Sequence, residues 1–382
     1  MNLPSFVRIT GYAFLILGLT TVPLVAQSTD DVAKPVWNQE KAAEFLDSRA
    51  SWWLDWQKAK RGNGSSCISC HTGVPYLLVR QSLQKAIAGE VPEQFNRTLA
   101  IVKKRVENFD GNLPFYDFKK EQSLGTEAIL NALILTTVEK QNGSDKLSED
   151  VIKSFEALWS SQIPHSAADQ EPNKNVGGWH WLDFKLEPFE SAEADYYGAT
   201  LAAIAVGSAA GKYAEIEELK QKIESLKKYL RSGYQKEHWH NKIAALVASN
   251  HLSGILTKQQ KQAMISTVFE KQKNGGWSLA SLGKKSADPE FKWTAKNLDA
   301  LQKPDAYATG LVLVAMIGAG VKQEDVRIRE ALNWLKSNQR EDGSWAGVSL
   351  NYKNPPHSFM NDTATAYAVM ALLMEKKTAG LN

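Results

Sequence analysis

The sequence predicts an all-α fold, an α/α toroid in which about six helical hairpins form an inner and an outer ring. The first observation is that amphipathic helices alternate along the chain with helices rich in Ala, Gly, Thr and Leu. Helices that are apolar around most of their surface are buried, so the second set predicts the inner ring. The second observation is a repeat of about 40–60 residues, too short to bury its apolar face alone. An open α-solenoid fits the same pattern, but six pairs favour a closed ring.

The amphipathic helices are expected at 38–60, 92–108, 148–162, 214–231, 257–271 and 323–338. Ser148 and Thr257 are good N-cap residues for two of them. The small-residue helices are expected at 74–83, 123–135, 195–207, 242–251, 305–317 and 362–375. The three longest loops from an outer to an inner helix are 163–194, 273–304 and 339–361. Long loops on one face of a rigid scaffold predict that this rim is the functional one.

The N-terminus reads as a secretory signal peptide over residues 1–26. Arg8 gives a positive start, an apolar run follows from 12 to 22, and polar residues begin after Ala26. An uncleaved membrane anchor is the alternative, but the run is shorter than the roughly 20 apolar residues that span a bilayer. We therefore expect a periplasmic or secreted protein with no stable membrane span.

The net charge and the two cysteines limit the classes of function that fit this sequence. The 382-residue chain has a net charge of only +3, which gives no indication of nucleic-acid binding. It has two cysteines, Cys67 and Cys70, and His71 follows them directly. Cys-x-x-Cys-His is the attachment motif for c-type haem.

The motif predicts one covalent haem c, joined to Cys67 and Cys70 and bound through its iron by His71. A thiol–disulfide switch is one alternative, although no βαβ pattern accompanies the motif. Zinc is the other, and it would need a fourth ligand. The first hairpin, 27–90, would carry the haem and 91–382 would form the toroid. The haem loop then occupies the functional rim, near the mouth of the toroid cavity.

The sequence offers several candidates for the sixth ligand of the iron. Several side chains are expected in loops of the same rim, whereas His251 falls at the far end of an inner helix. The distal candidates are His180, His238, His240, His357 and Met360, with His165 also on this rim. An electron-transfer cytochrome fills both axial positions, while a catalytic haem leaves one open.

Three loops contain a Gly-x-Trp or Gly-Trp element, at 175–179, 272–277 and 339–345, and each leads to a helix that opens with Asp. These helices begin with Asp195, Asp305 and Asp362. The pattern resembles the QW repeat of the superfamily of squalene–hopene cyclases and protein-prenyltransferase β-subunits. The resemblance covers about 90–376 and implies an α/α toroid with a cavity for an apolar, isoprenoid-like substrate.

The sequence departs from that superfamily at its catalytic positions. The cyclases protonate an alkene with a DxDDTA motif, of which only one of the three acids, Asp362, remains at 359–364. Asp362 is therefore expected to be an N-cap. Where the prenyltransferases have a zinc-binding Cys, this chain has Tyr307. Asp195, Asp305 and Asp362 are weak candidates for catalytic residues.

The resulting expectation is an exported c-type haem protein that binds haem and transfers electrons to a redox partner protein. One alternative is a haem-dependent oxidoreductase that acts on an apolar, isoprenoid-like molecule in the toroid cavity. Another is a cyclase or transferase of the terpenoid cyclase superfamily, and a further one is a non-enzymatic haem sensor.

Overall fold

A computed structural model describes residues 36–62, 64–109, 114–164, 175–284, 301–351 and 359–379, without the side chains of 376–379. The predicted signal peptide lies outside the described residues. So do two of the predicted rim histidines, His165 and His357.

The long helices of the described chain alternate between outer and inner positions, and one short helix, Leu279–Leu282, lies in a loop between them. The outer helices are α1 (Gln39–Asp55), α3 (Glu93–Glu107), α5 (Glu149–Ser160), α7 (Lys220–Gly233), α9 (Lys258–Glu270) and α11 (Val326–Ser337). The inner helices are α2 (Val74–Ile87), α4 (Lys120–Asn142), α6 (Ala194–Ser208), α8 (Trp239–His251), α10 (Ala306–Gly318) and α12 (Phe359–Ala379). In the described residues one pair of short strands, Lys60–Arg61 and Ser65–Ser66, forms a two-stranded antiparallel sheet.

The inner helices close into a ring. Each packs against the next in chain order, from α2 to α12, and α12 packs against α2. Outer helices pack on the outside of this ring and contact one another at α1, α3 and α5. The predicted α/α toroid is thereby confirmed, and the open solenoid is not the arrangement adopted. The helices α1 and α2, expected to carry the haem, form one of the pairs in the ring.

The tryptophans of the three repeat loops perform the same structural task in each hairpin. Trp179, Trp277 and Trp345 are fully buried. Each indole N–H donates to a carbonyl near the end of the preceding outer helix, at Leu158 (2.8 Å), Val268 (2.7 Å) and Leu335 (2.8 Å). A buried indole needs such a partner, and the bond fixes how the outer helix enters the loop.

The glutamines of the same loops join neighbouring hairpins. Gln162 donates to the Lys222 carbonyl of α7 at 3.0 Å, and Gln272 donates to the Arg327 carbonyl of α11 at 2.8 Å. The side chain of Gln339 closes the circle, since it donates to the Asn38 carbonyl at 2.8 Å and accepts from the Asn38 N–H at 2.6 Å.

The ends of the helices confirm some predictions and correct others. Ser148 and Thr257 are the N-caps of α5 and α9, as predicted. The helix α8 begins at Trp239, three residues before the predicted start, so His240 lies in the helix and was wrongly assigned to a loop. Met360 lies in the first turn of α12, which begins at Phe359 rather than at Asp362. Within the described part of the chain, no helix is long and apolar enough to cross a bilayer.

Candidate functional site

The Cys-x-x-Cys-His segment forms a tight turn that runs directly into α2. The Cys67 N–H donates to the Ala59 carbonyl at 2.8 Å, which anchors the turn to the short 3-10 helix Gln57–Ala59 that follows α1. Ser69 has a positive φ of 67°, and its hydroxyl accepts from the N–H groups of His71 (3.3 Å) and Thr72 (3.1 Å). The wide helical turn Ser69–Gly73 then leads into Val74.

Gly73 makes this geometry sterically feasible. A β-carbon at this position would lie 2.0 Å from the Ile68 carbonyl oxygen, so no larger residue fits without moving the backbone. The close approach of residues 68 and 73 turns Cys67, Cys70 and His71 toward the same side.

The three motif side chains line one cavity of about 420 Å³ at the rim where the inner helices begin. This volume lies within the range of small-molecule and cofactor sites. The remaining lining is mostly apolar and comes from α1, α4, α12 and the loops that precede α4, α6 and α12. It comprises Trp53, Trp56, Ser69, Phe115, Tyr116, Leu130, Leu182, Leu186, Glu187, Glu190, Ser349, Asn351, Phe359 and Met360.

Aromatic rings surround the imidazole of His71. Its centroid lies 5.0 Å from that of Phe189, edge to face, and 6.1 Å from that of Phe359. The Trp53 indole donates to the Cys67 carbonyl at 2.5 Å, and its ring contacts Phe359. Aromatic side chains therefore form much of the wall around the motif.

Phe189 anchors the loop that precedes α6 and contributes to the cavity lining. Its ring lies edge to face against His240 of α8 (5.8 Å) and Tyr307 of α10 (5.2 Å), and it contacts Tyr197 of α6 (5.7 Å). One phenylalanine thus connects three inner helices to the imidazole of His71.

Burial keeps the motif side chains uncharged at neutral pH. It raises the pKa of the Cys67 thiol to about 11 and that of Cys70 well above its usual value. Burial also lowers the pKa of His71 to about 4, which leaves the neutral imidazole that binds metals. Cysteines that exchange disulfides have lowered pKa values, so these raised values do not favour a thiol–disulfide switch. Both thiols are unbridged in the structure.

Asp362 is not the helix cap that the sequence predicted. Its carboxylate accepts two hydrogen bonds from Arg49 of α1, at 2.7 and 3.0 Å, and one from the Thr72 hydroxyl at 2.7 Å. The correction has a simple cause, since α12 begins three residues before Asp362. Thr72 follows His71 directly, so this carboxylate connects the Cys-x-x-Cys-His turn to two helices.

The other two weak catalytic candidates have local structural roles. Asp305 caps α10, because it accepts from the Ala308 N–H at 3.0 Å, and it also accepts from the Leu279 N–H. Asp195 accepts from the Tyr196 N–H and from the Asn175 amide. Burial raises the pKa of Asp305 to about 7 and that of Asp195 to about 6, but neither side chain lines the cavity.

Among the described distal candidates, the cavity lining includes Met360 and none of the histidines. His180 is 38% exposed and lies 3.7 Å from Glu121. His240 is buried and shares a 2.7 Å hydrogen bond with the Tyr307 hydroxyl, while His238 stacks against it at 5.8 Å. His165 and His357 lie outside the described residues.

Two functional-site carboxyls were not anticipated from the sequence. Glu187 and Glu190 line the cavity, and burial raises the pKa of each to about 7. Asn351 holds their loop, because its side chain exchanges two hydrogen bonds with the backbone of Glu187 (2.9 and 2.6 Å). The signal was the pair of acids around Pro188 and Phe189 in a long loop of the predicted functional rim.

Among the described residues there is no group of three or more His, Cys, Asp or Glu side chains that could hold a bare metal ion.

The C-terminal part of the chain is similar to squalene–hopene cyclases. Residues 303–380 match the squalene-hopene cyclase C-terminal domain family. Over 71 residues the chain is 38% identical to the squalene–hopene cyclase of Bradyrhizobium diazoefficiens. That match covers 18% of this chain and 11% of the enzyme. The similarity supports the scaffold of the toroid superfamily that the repeat loops indicated.

Two solved structures follow the chain over most of its length at low identity. A variant glycosidase has a TM-score of 0.48 at 11% identity and covers 90% of this chain and 98% of its own. A type II terpene cyclase variant from Scytonema, in complex with its product merosterolic acid A, has a TM-score of 0.45 at 11% identity. It covers 89% of this chain and 98% of its own.

Replacement of Asp362 by Asn should destabilise the protein by about 3 kcal/mol, because it leaves the Arg49 guanidinium without its charged partner. The measurement is the free energy of unfolding in denaturant. Glu224→Gln is the matched control, since it removes a carboxylate from an exposed pair with Lys227 and should cost less than about 1 kcal/mol. Equal losses for the two variants would contradict the role assigned to Asp362.

Proposed function

We propose that this chain is an exported c-type haem protein that transfers electrons from a toroid scaffold. One haem would be joined by thioether bonds to Cys67 and Cys70 and held at its iron by His71. The observation that carries the proposal is that these three side chains line one largely apolar cavity.

The residues of the cavity fit a haem in three respects. The lining is rich in aromatic and aliphatic side chains, which suit the face of a porphyrin. The His71 imidazole is neutral, so a lone pair is available for iron. Burial raises the pKa of both thiols, which disfavours the thiolate that disulfide exchange needs, and the two cysteines are unbridged. A haem bound here supplies one-electron redox chemistry.

The protein's own residues would orient the group and exclude water. Phe189 and Phe359 border the imidazole, and Trp53 holds the Cys67 carbonyl. Thr72 and its acceptor Asp362 restrain the turn that presents the imidazole. An apolar shell of this kind tunes the potential of an iron centre.

Met360 supports electron transfer over small-molecule catalysis. Its side chain is 7% exposed and borders the same cavity as His71. A methionine thioether and a histidine are the pair of side chains that bind haem iron in electron-transfer cytochromes c. We therefore include Met360 in the proposal as a residue that would bind the iron together with His71, in place of the described candidates His180, His238 and His240.

We also propose that the protein is exported and that it exchanges electrons with a partner protein. The signal-peptide pattern at 1–26 supports export to the periplasm or beyond. A haem that exchanges single electrons requires a redox partner protein.

A cyclase-like reaction is the second candidate, favoured by the match of residues 303–380 to the squalene-hopene cyclase C-terminal domain. The cavity offers a different acid from the DxDDTA motif. The Glu190 carboxyl is held by no side-chain partner among the described residues, and burial raises its pKa to about 7. A partly protonated carboxyl in an apolar cavity can donate a proton to an alkene. Asp362 does not line the cavity, so it is not placed for that step.

The haem assignment predicts that the protein, expressed in a host that attaches haem c, retains haem after denaturation. The pyridine haemochrome spectrum measures this. The double variant Cys67→Ser/Cys70→Ser should lose all covalent haem, whereas His71→Ala should keep the thioether bonds and lose the low-spin spectrum. His251→Ala, at the far end of α8, is the control and should behave as the parent protein. Haem that dissociates from the parent protein on denaturation would refute the assignment.

Ligation by Met360 predicts a low-spin, six-coordinate iron that does not bind CO at once. Met360→Ala should give a high-spin spectrum and rapid CO binding, because it would remove one of the two side chains that bind the iron. Optical and EPR spectra make the measurement, and Met374→Ala is the control at the other end of α12. An unchanged low-spin spectrum in Met360→Ala would exclude Met360 as the ligand. A five-coordinate parent protein would instead favour the haem-dependent oxidoreductase.

The cyclase candidate predicts that the protein converts squalene or a shorter polyprene to cyclic products. The rate should fall as the pH rises through about 7, because the protonated form of Glu190 is the donor. Glu190→Gln should abolish turnover, while Glu193→Gln, whose side chain does not line the cavity, should leave it intact. Gas chromatography of the products measures this cyclisation. A complete absence of cyclic products would exclude the cyclase function.

A further inference from the structure

A second, shallower depression of about 630 Å³ adjoins the cysteine cavity. Phe115 and Tyr116 line both, so the two features are continuous through these rings. We call the exposed and half-buried charged residues of this depression, with Phe118 and the adjoining Lys119, the mouth surface. It consists of Lys58, Lys60, Arg61, Asp117, Phe118 and Lys119.

The mouth surface carries positive charge that carboxylates do not neutralise. Its four basic side chains form no ion pair with an Asp or Glu of the described residues, and Asp117 is its single acid. Arg61 is fixed in place, because its guanidinium donates to the carbonyls of Phe115 (2.7 Å), Lys58 (2.9 Å) and Lys60 (2.8 Å). A fixed, unpaired cation contributes to the surface field without an entropy cost on binding.

Aromatic rings lie between these cations. The Lys58 ammonium lies 5.9 Å from the Trp56 ring, and the Arg61 guanidinium lies 5.2 Å from the Tyr116 ring. Trp56 and Tyr116 also line the cysteine cavity. The side chain of Phe118 is 76% exposed, the largest exposure of an aromatic ring in the described chain. Exposed aromatic and arginine side chains are the residues that dominate protein–protein binding energy.

We propose that the mouth surface is the docking site of an acidic electron-transfer protein. The inference rests on the proposed function, since it supplies the partner for a haem in the adjoining cavity. Charge complementarity identifies the partner as acidic, and the exposed Phe118 would enter an apolar part of its surface. Docking there would place the partner next to Phe115 and Tyr116, the two described residues that line both the depression and the cavity.

The test measures binding rather than turnover, so that it does not depend on the haem. An isotope-labelled, strongly acidic flavodoxin is titrated with the full-length mature protein at low ionic strength, and NMR shift changes give the Kd. The variant Lys58→Glu/Lys119→Glu reverses two charges of the mouth surface. Lys222→Glu/Lys258→Glu makes the same change in net charge on the exposed faces of α7 and α9 and is the matched control.

We expect the Kd to rise about tenfold or more in the mouth variant and to change less than about twofold in the control. Binding of the parent protein should weaken as salt is added. Equal Kd values for the parent and the mouth variant would overturn the proposal, as would an equal loss in the control or tighter binding of a basic cytochrome c. The haem content of each sample, read from its haemochrome spectrum, reports separately on the proposed function.

Discussion

The Asp362 carboxylate is the contact on which the candidate site depends. Its two oxygens accept hydrogen bonds from Arg49 of the first outer helix, and one of them also accepts a hydrogen bond from Thr72 of the Cys-x-x-Cys-His turn. The carboxylate itself belongs to the last inner helix, so it joins the two ends of the ring at the turn. Because Asp362 is only 2% exposed, its hydrogen bonds cannot be replaced by water without a large cost. Asp362 is the one acid of the cyclase motif that remains in this sequence, and its carboxylate stabilises the Cys-x-x-Cys-His turn.

A ring scaffold explains why a small motif can lie in so enclosed a cavity. The Trp and Gln side chains of the repeat loops fix the outer helices, and the inner helices then begin at one rim. Loops from three separate hairpins meet there, and Phe189 links one of them to three inner helices and to His71. The enclosure is thus long-range in sequence, although the motif is local.

The fold was predictable because its signals are periodic and repeated, whereas much of the site was not. Small-residue helices and Gly-Trp loops predict burial and ring order from local sequence alone. The pairing of Arg49 with Asp362 spans 313 residues and has no local signal, so Asp362 was taken for a cap. Glu190 was missed because its raised pKa comes from burial by a fold that the loop sequence does not encode. The order of outer helix, loop and inner helix along the sequence did predict the rim on which the cysteines lie. It also predicted that Met360 lies on this rim, but it did not distinguish Met360 from the histidines as a ligand.

The most direct test of the account is a crystal structure of the protein purified from a host that attaches haem c, with anomalous data collected at the iron edge. We expect a single iron peak in the cavity that His71 and Met360 line, with continuous density from the porphyrin to both cysteine sulfurs. A cavity without an iron peak, or a disulfide between Cys67 and Cys70, would contradict it.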